Sequence, residues 1–182
     1  MLNIMIFFLG AMLIAAVSAR TFSDPRSHGF YRFLAFEVIW AIIVMNAQAW
    51  FVDVLAVKQL ISWVLLFCSL LLALHAFYLF RVLGRPTART PRPTHFRFEE
   101  TATLVSVGAY RYIRHPMYAS LLLLTWGAAF KTLSFFSILL ALGATGLLVL
   151  TARAEEFENL ERFGEEYDQY MSRTKMFIPY MF

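Results

Sequence analysis

Apolar residues gather into four runs, 2–19, 30–50, 60–80 and 117–150, with polar or charged stretches between them. A helix that crosses a bilayer needs about 20 apolar residues, with a range of about 17–25. The first three runs therefore each predict one crossing. The fourth is 34 residues long. As a single helix it would measure about 51 Å at 1.5 Å per residue, against a hydrocarbon core of about 30 Å. It is read as a helical hairpin turning around residues 131–134, with two arms that are short for full crossings. The pattern predicts an all-α integral membrane protein with five transmembrane helices, the last two forming the hairpin. It also predicts one domain over residues 1–182, with three membrane helices in 1–80 and a second region in 81–182.

The polar segments refine this outline. Residues 84–116 read as irregular, with Pro86, Pro91 and Pro93 among closely spaced arginines. Beyond the last apolar run, Phe157, Leu160, Phe163, Tyr167, Tyr170 and Met171 recur at helical spacing opposite Glu158, Glu161, Glu165 and Asp168. That spacing predicts an amphipathic helix over 154–171, lying against the membrane or against the protein's own cytoplasmic face.

Composition excludes other classes. The chain is 60% hydrophobic and 15% charged, where a soluble domain is about 45–50% apolar and about 25% charged. With 17% aromatic residues it is not a disordered chain either. The lone Cys68 excludes a disulfide framework and a cysteine-based metal site. The net charge of +4 reads as topology, and no nucleic-acid partner is expected. Five crossings put fourteen of the sixteen basic residues on one side. They are Arg20, Arg26 and Arg32, the seven arginines between 81 and 114, and Arg153, Arg162, Arg173 and Lys175, leaving Lys58 and Lys131 opposite. A single crossing in the fourth run would leave the less polarised division of ten against six. The positive-inside rule then places the N-terminus outside and the C-terminus in the cytoplasm, in a multi-pass membrane protein (the inner membrane, if the cell is prokaryotic).

Two constellations could carry chemistry. The first is Gly108-Ala109-Tyr110-Arg111-Tyr112-Ile113-Arg114-His115-Pro116-Met117-Tyr118, at the mouth of the fourth run. Arg114 and His115 are donors at a helix start, where unpaired backbone N–H groups already favour an anion. Pro116 suits a first helical turn, and Tyr110, Tyr112 and Tyr118 offer flat surfaces to a heterocycle. The second is Glu155-Glu156, read as the start of the tail helix. The pair either receives a cationic ligand or simply complements the helix dipole. His28, His75, His95 and His115 are too scattered for a metal site. His75 reads as a buried, hydrogen-bonded core residue. Glu37 either is a satisfied buried carboxylate or lines a substrate route.

In this order the two constellations resemble the isoprenylcysteine carboxyl methyltransferase and phospholipid methyltransferase superfamily. Its pattern is G-x-Y-x-x-x-R-H-P-x-Y before a helical hairpin, then a Glu-Glu pair and F-G-x-x-Y-x-x-Y. Here those are residues 108–118, Glu155-Glu156 and residues 163–170, with Phe177-Ile178-Pro179 similar to the family's ending. The resemblance covers roughly residues 83–179 and implies methyl transfer from S-adenosylmethionine, without a metal, in a pocket facing the cytoplasm. That pocket would be built by the cytoplasmic loop and the C-terminal amphipathic helix. Carried over by position, the cofactor contacts would be His95, Ala102, Thr103, Leu104, Val105, Tyr110, Arg114, His115, Pro116, Met117, Tyr118, Glu155 and Glu156. The arginine that holds a substrate carboxylate in the carboxyl methyltransferases falls at Thr151 here, which leaves Arg153 as the candidate catalytic residue.

The implied partners are a lipophilic small molecule or lipidated acceptor and membrane lipid, with no obligate protein partner. The leading acceptor is an isoprenylcysteine-type carboxylate. A phospholipid amine and a small hydrophobic thiol are the alternatives, and a non-catalytic transporter or scaffold is the reading from another class. Methyl transfer is an in-line displacement that mainly asks for alignment. An anionic acceptor needs no base, and the sequence displays no obvious one.

Overall fold

A computed structural model describes residues 1–83 and 104–180, with the side chains of Arg20 and Ser23 excepted. The described residues form six helices: α1 Leu2–Val17, α2 His28–Met45, α3 Val57–Leu83, α4 Pro116–Ala129, α5 Phe135–Phe163 and α6 Glu165–Arg173. Among them there is no strand. One isolated parallel bridge joins Ile113 to Lys175. Three helices, α2, α3 and α5, are long and apolar enough to cross a membrane, while α1 and α4 are shorter apolar helices.

The helices pack as α2 along α5 and α3 along α4, with α1 laid on α2. Small residues let α2 and α5 approach closely: Ala35 of α2 and Ala141, Ala144 and Ala152 of α5 are fully buried, as suits association in lipid. Between α3 and α4 the link is polar. Ser62 Oγ donates to the Gly127 carbonyl at 2.6 Å, and Ser69 Oγ to that of Ser120 at 2.7 Å. Outside this core α1 and α3 expose apolar side chains such as Leu9, Leu13, Phe67 and Leu74, the surface that lipid covers.

The fourth apolar run is a hairpin, as its length required. Helix α4 stops at Ala129, and Ser134 restarts the chain by accepting the Ser137 N–H as the N-cap of α5. Asn46, at the end of α2, clasps the turn. Its Nδ2 donates to the Ala128 carbonyl at 2.9 Å, and its Oδ1 accepts from Thr132 Oγ1 at 2.9 Å.

Three expectations are corrected. The second arm is not short, because α5 runs for 29 residues. Nor does a separate helix begin at Ala154: no breaker precedes Gly164, whose φ of +58° ends α5. The charged stretch 153–162 therefore extends α5, and Glu155-Glu156 lie inside a helix rather than at its start. His75 is hydrogen-bonded, its Nε2 accepting the Ala109 N–H at 3.3 Å, but its side chain is exposed rather than buried. It lies inside α3, and the 3-10 turn Gly108–Arg111 packs against its ring.

Candidate functional site

The string 108–118 crosses under the bundle and enters α4. Gly108 has φ +61°, and a Cβ there would stand 2.5 Å from Leu79 Cδ1 and 2.8 Å from His75 Nε2. Only glycine suits both the backbone and the space. The C-terminal residues 174–177 then run beside 112–115. Arg114 N–H donates to the Lys175 carbonyl at 2.7 Å, His115 N–H to that of Met176 at 3.2 Å, and Lys175 N–H to that of Tyr112 at 3.1 Å. Tyr170 of α6 fastens the other edge, its hydroxyl donating to the Tyr110 carbonyl at 2.6 Å.

The acidic pair is divided between two tasks. Glu156, 7% exposed, accepts from Arg114 Nε at 2.6 Å and lies 3.3 Å from His115 Nε2. Arg114 also donates through one terminal nitrogen to the carbonyls of Met171 and Thr174, and Nη2 has no partner among the described residues. Glu155 is hydrogen-bonded by the Tyr118 hydroxyl, and His115 stacks on Tyr118 at 5.5 Å with an 18° interplanar angle.

Two adjoining cavities share Phe80, Tyr110, Arg114 and Glu155. The larger also takes in Leu104, Val105, His28, Glu158, Asn159, Arg162, Phe163, Tyr167 and Tyr170. The smaller takes in His115, Pro116, Met117 and Tyr118. Their free volumes are about 60 and 30 Å³, far below the roughly 300–1,000 Å³ of ligand sites. Burial, reinforced by the charges of Glu155 and Glu156, holds the Tyr167 phenol far above its ordinary range, and burial does the same for Tyr170. Both stay protonated and can serve as donors. Separately, an apolar groove of about 860 Å³ runs between α3, α4, α5 and the C-terminal segment, lined by Leu65, Leu122, Trp126, Val149 and Phe177 among others.

Of the residues expected at the site, Leu104, Val105, Tyr110, Arg114, His115, Pro116, Met117, Tyr118 and Glu155 come together around the two cavities, and Glu156 supports them from beneath. His95, Ala102 and Thr103 lie outside the described residues. Arg153 is exposed and lines neither cavity. Helix α5 turns by about 200° between Arg153 and Glu155, which sets the two on opposite flanks. Thr151 is fully buried, its hydroxyl donating to the Leu147 carbonyl. Among the described residues no group of three or more His, Cys, Asp or Glu side chains could hold a metal ion.

Sequence reasoning missed Phe80, His28, Glu158, Asn159 and Arg162. The last three carry a signal, standing three, four and seven residues beyond Glu155 and thus on its side of the helix. His28, 130 residues from Glu158, carries none.

The R-H-P string thus meets an internal Glu-Glu pair at one end of an apolar helical bundle. The model of the phospholipid methyltransferase family matches residues 57–167, more than half of the chain, and the protein belongs to that family. Methanethiol S-methyltransferase 1 of Bradyrhizobium diazoefficiens is 30% identical over 121 residues, 65% of this chain and 39% of that protein. The methanethiol S-methyltransferases of Mycobacterium tuberculosis and Pseudomonas deceptionensis are 30% and 31% identical over 39% and 38% of this chain, and 28% and 26% of their own. The matches thus span well under half the length of these relatives. No solved structure matches the chain.

Proposed function

We propose that the protein transfers a methyl group from S-adenosylmethionine to a small hydrophobic thiol, at the cytoplasmic face of the membrane. The observation that carries the cofactor half is the split acidic pair: Glu156 is neutralised by Arg114, while Glu155 is held at the wall common to both cavities. The donor set fits the cofactor's groups. Glu155 would accept from its ammonium, and Arg114 through Nη2 would meet its carboxylate. Tyr110, Phe80, Leu104 and Val105 would flank its adenine. When bound, the cofactor supplies an electrophilic methyl group on a sulfonium. The chain's part is to align an acceptor with it and to exclude water.

Two observations favour the thiol over the isoprenylcysteine carboxylate. The relatives bear the name methanethiol S-methyltransferase. The position of the carboxylate-holding arginine is a buried threonine, and Arg153 stands clear of the cavities. The apolar groove is the one feature that favours a second reading, a long-chain acceptor such as a phospholipid amine or a prenylcysteine.

The test is labelled methyl transfer by the detergent-purified protein to a panel of methanethiol, longer thiols, prenylcysteines and phospholipid amines. Volatile dimethyl sulfide from methanethiol is the expected product. Methylation of a prenylcysteine or lipid with none of any thiol would overturn the reading.

A further inference from the structure

We propose that a groove walled by Arg111 and Arg173 holds the phosphate-bearing head group of an anionic phospholipid, and that this lipid braces the larger cavity; the bracing rests on the cofactor reading above. The groove measures about 540 Å³ and is lined by Ser106, Val107, Arg111, Tyr170, Arg173 and Thr174. That volume falls within the roughly 300–1,000 Å³ of ligand sites. Its two guanidinium groups come from different segments, Arg111 from the 3-10 turn 108–111 and Arg173 from the last turn of α6. Both side chains are exposed. Among the described residues Arg111 has no hydrogen-bond or ion-pair partner, and Arg173 uses only Nε, which donates to the Gln169 carbonyl at 3.1 Å. No acidic side chain is among the residues that line the groove. Two like charges on one groove favour an anion between them. Guanidinium groups meet phosphate oxygens with paired N–H donors, and the Ser106 hydroxyl adds a neutral donor.

The groove's place in the fold selects the source of the phosphate. The apolar run of α5 gives out at Leu150, and the string 108–118 meets α5 at Glu155 and Glu156, just beyond that boundary. Basic side chains at such a margin attract anionic head groups. Val107 in the groove is about half exposed, as is Tyr112. Tyr112, the residue after Arg111, lines the apolar groove described above. Adjacent residues thus offer a cation to a head group and an apolar surface to acyl chains, a pairing that a free phosphate ion would leave half used. Tyr170 couples the site to the cofactor cavity. It lines both spaces, and its hydroxyl donates to the carbonyl of Tyr110, the residue before Arg111. An anion that draws Arg111 toward Arg173 therefore tightens the turn 108–111 against the end of α6. Those two segments carry Tyr110 and Tyr170 into the larger cavity.

The test places the full chain in nanodiscs of phosphatidylcholine, alone or mixed with phosphatidylglycerol, which is anionic and has no amine to methylate. Phosphatidylglycerol should raise the melting temperature of wild type and tighten S-adenosylmethionine binding by about fivefold or more, the size of an ordinary coupling between sites. A basic residue beside anionic lipid contributes about fivefold in affinity. In native mass spectrometry Arg111→Gln and Arg173→Gln should therefore each hold phosphatidylglycerol about fivefold more weakly, and the melting gain should vanish in the double variant. Arg153→Gln, which removes another exposed arginine from outside the groove, should behave as wild type. An equal loss in Arg153→Gln would mean diffuse attraction without a site and would overturn the proposal, as would a double variant that keeps the full gain. Inorganic phosphate added to phosphatidylcholine discs should reproduce neither effect. If it does so through the same two arginines, the site takes a free anion and the lipid assignment falls. Should the double variant not fold, the single variants decide by mass spectrometry. Unchanged cofactor affinity with lipid bound overturns the bracing. A wild type that binds no S-adenosylmethionine in any disc instead removes the cofactor reading, while melting and mass spectrometry still decide the lipid site.

Discussion

Arg114 Nε lies 2.6 Å from Glu156 Oε1, with both side chains about nine-tenths buried. The pair ties the segment that enters α4 to the C-terminal part of α5, across 42 residues of sequence. It also consumes the charge of one member of the acidic pair, so that only Glu155 is left to meet a cation from the cavity. Removing one partner of a buried ion pair strands the other, which typically costs about 3–5 kcal/mol. Glu156→Gln should thus lower the unfolding midpoint in detergent by several degrees, with Glu165→Gln, on the exposed face of α6, close to wild type. Equal melting curves for the two variants would show that the pair contributes nothing to the fold.

Glu155→Gln should behave differently. It retains the Tyr118 contact in shape but loses a carboxylate for the ammonium of S-adenosylmethionine. Hydrogen bonds to charged groups contribute roughly 1.5–3 kcal/mol, so affinity should fall by about 10- to 150-fold. Calorimetry checks this, and the melting temperature without ligand should hardly move. The two neighbouring glutamates would then be separable, one acting on stability and the other on binding.

The glycines give a third expectation. Gly108 and Gly164 both have positive φ, but a Cβ at Gly164 meets nothing within 4 Å, whereas one at Gly108 meets Leu79 and His75. Gly164→Ala should cost about 1–3 kcal/mol, from backbone strain alone. Gly108→Ala should cost more and should also weaken cofactor binding, because the turn it opens carries Tyr110 into the cavity. Denaturant unfolding of both variants decides the order.

Arg153 supplies a fourth. Because it is exposed and lines neither cavity, Arg153→Ala should leave turnover and cofactor affinity within about twofold of wild type, as surface substitutions usually do. A large fall in turnover at constant affinity would return it to the site as a grip on the acceptor.

The residues that proved legible in the sequence were those whose neighbours in space are also neighbours in the chain. The hairpin followed from the length of one apolar run, and the string 108–118 displayed its chemistry as a contiguous block. Glu155-Glu156 were read as a helix start because the chain turns polar after Leu150. Polarity does not end a helix, however, and α5 continues until Gly164 supplies a backbone that can turn. His75 looked buried because a histidine in an apolar run is costly in lipid, yet it is exposed and accepts its hydrogen bond from the 108–111 turn. His28 and Glu158 were invisible for the opposite reason. Each is ordinary locally, and only the packing of α2 along α5 brings an imidazole to a carboxylate.

Lys131 extends that point to the other end of the bundle. Counted in the sequence as one of two basic residues opposite the main charge, it would be expected to reach water. Instead it is fully buried in the turn between α4 and α5. Its Nζ donates to Gln59 Oε1 at 3.0 Å and lies 3.5 Å from the Trp63 ring centroid and 5.2 Å from that of Trp50. A desolvated cation over an indole face gains about 2 kcal/mol or more, and here the cation also spans the start of α3 and the hairpin turn. Lys131→Met should therefore destabilise the protein by about 2 kcal/mol despite its apolar surroundings, since it removes the cation and leaves the Gln59 carbonyl without its donor. Trp63→Leu should cost a similar amount or more. If the two side chains act together, the double variant should lose less than the sum, because residues in contact are not additive. Strict additivity in denaturant unfolding would mean that the lysine and the indole merely share space. Cofactor affinity, read at the opposite end of the helices, should survive in every variant that folds.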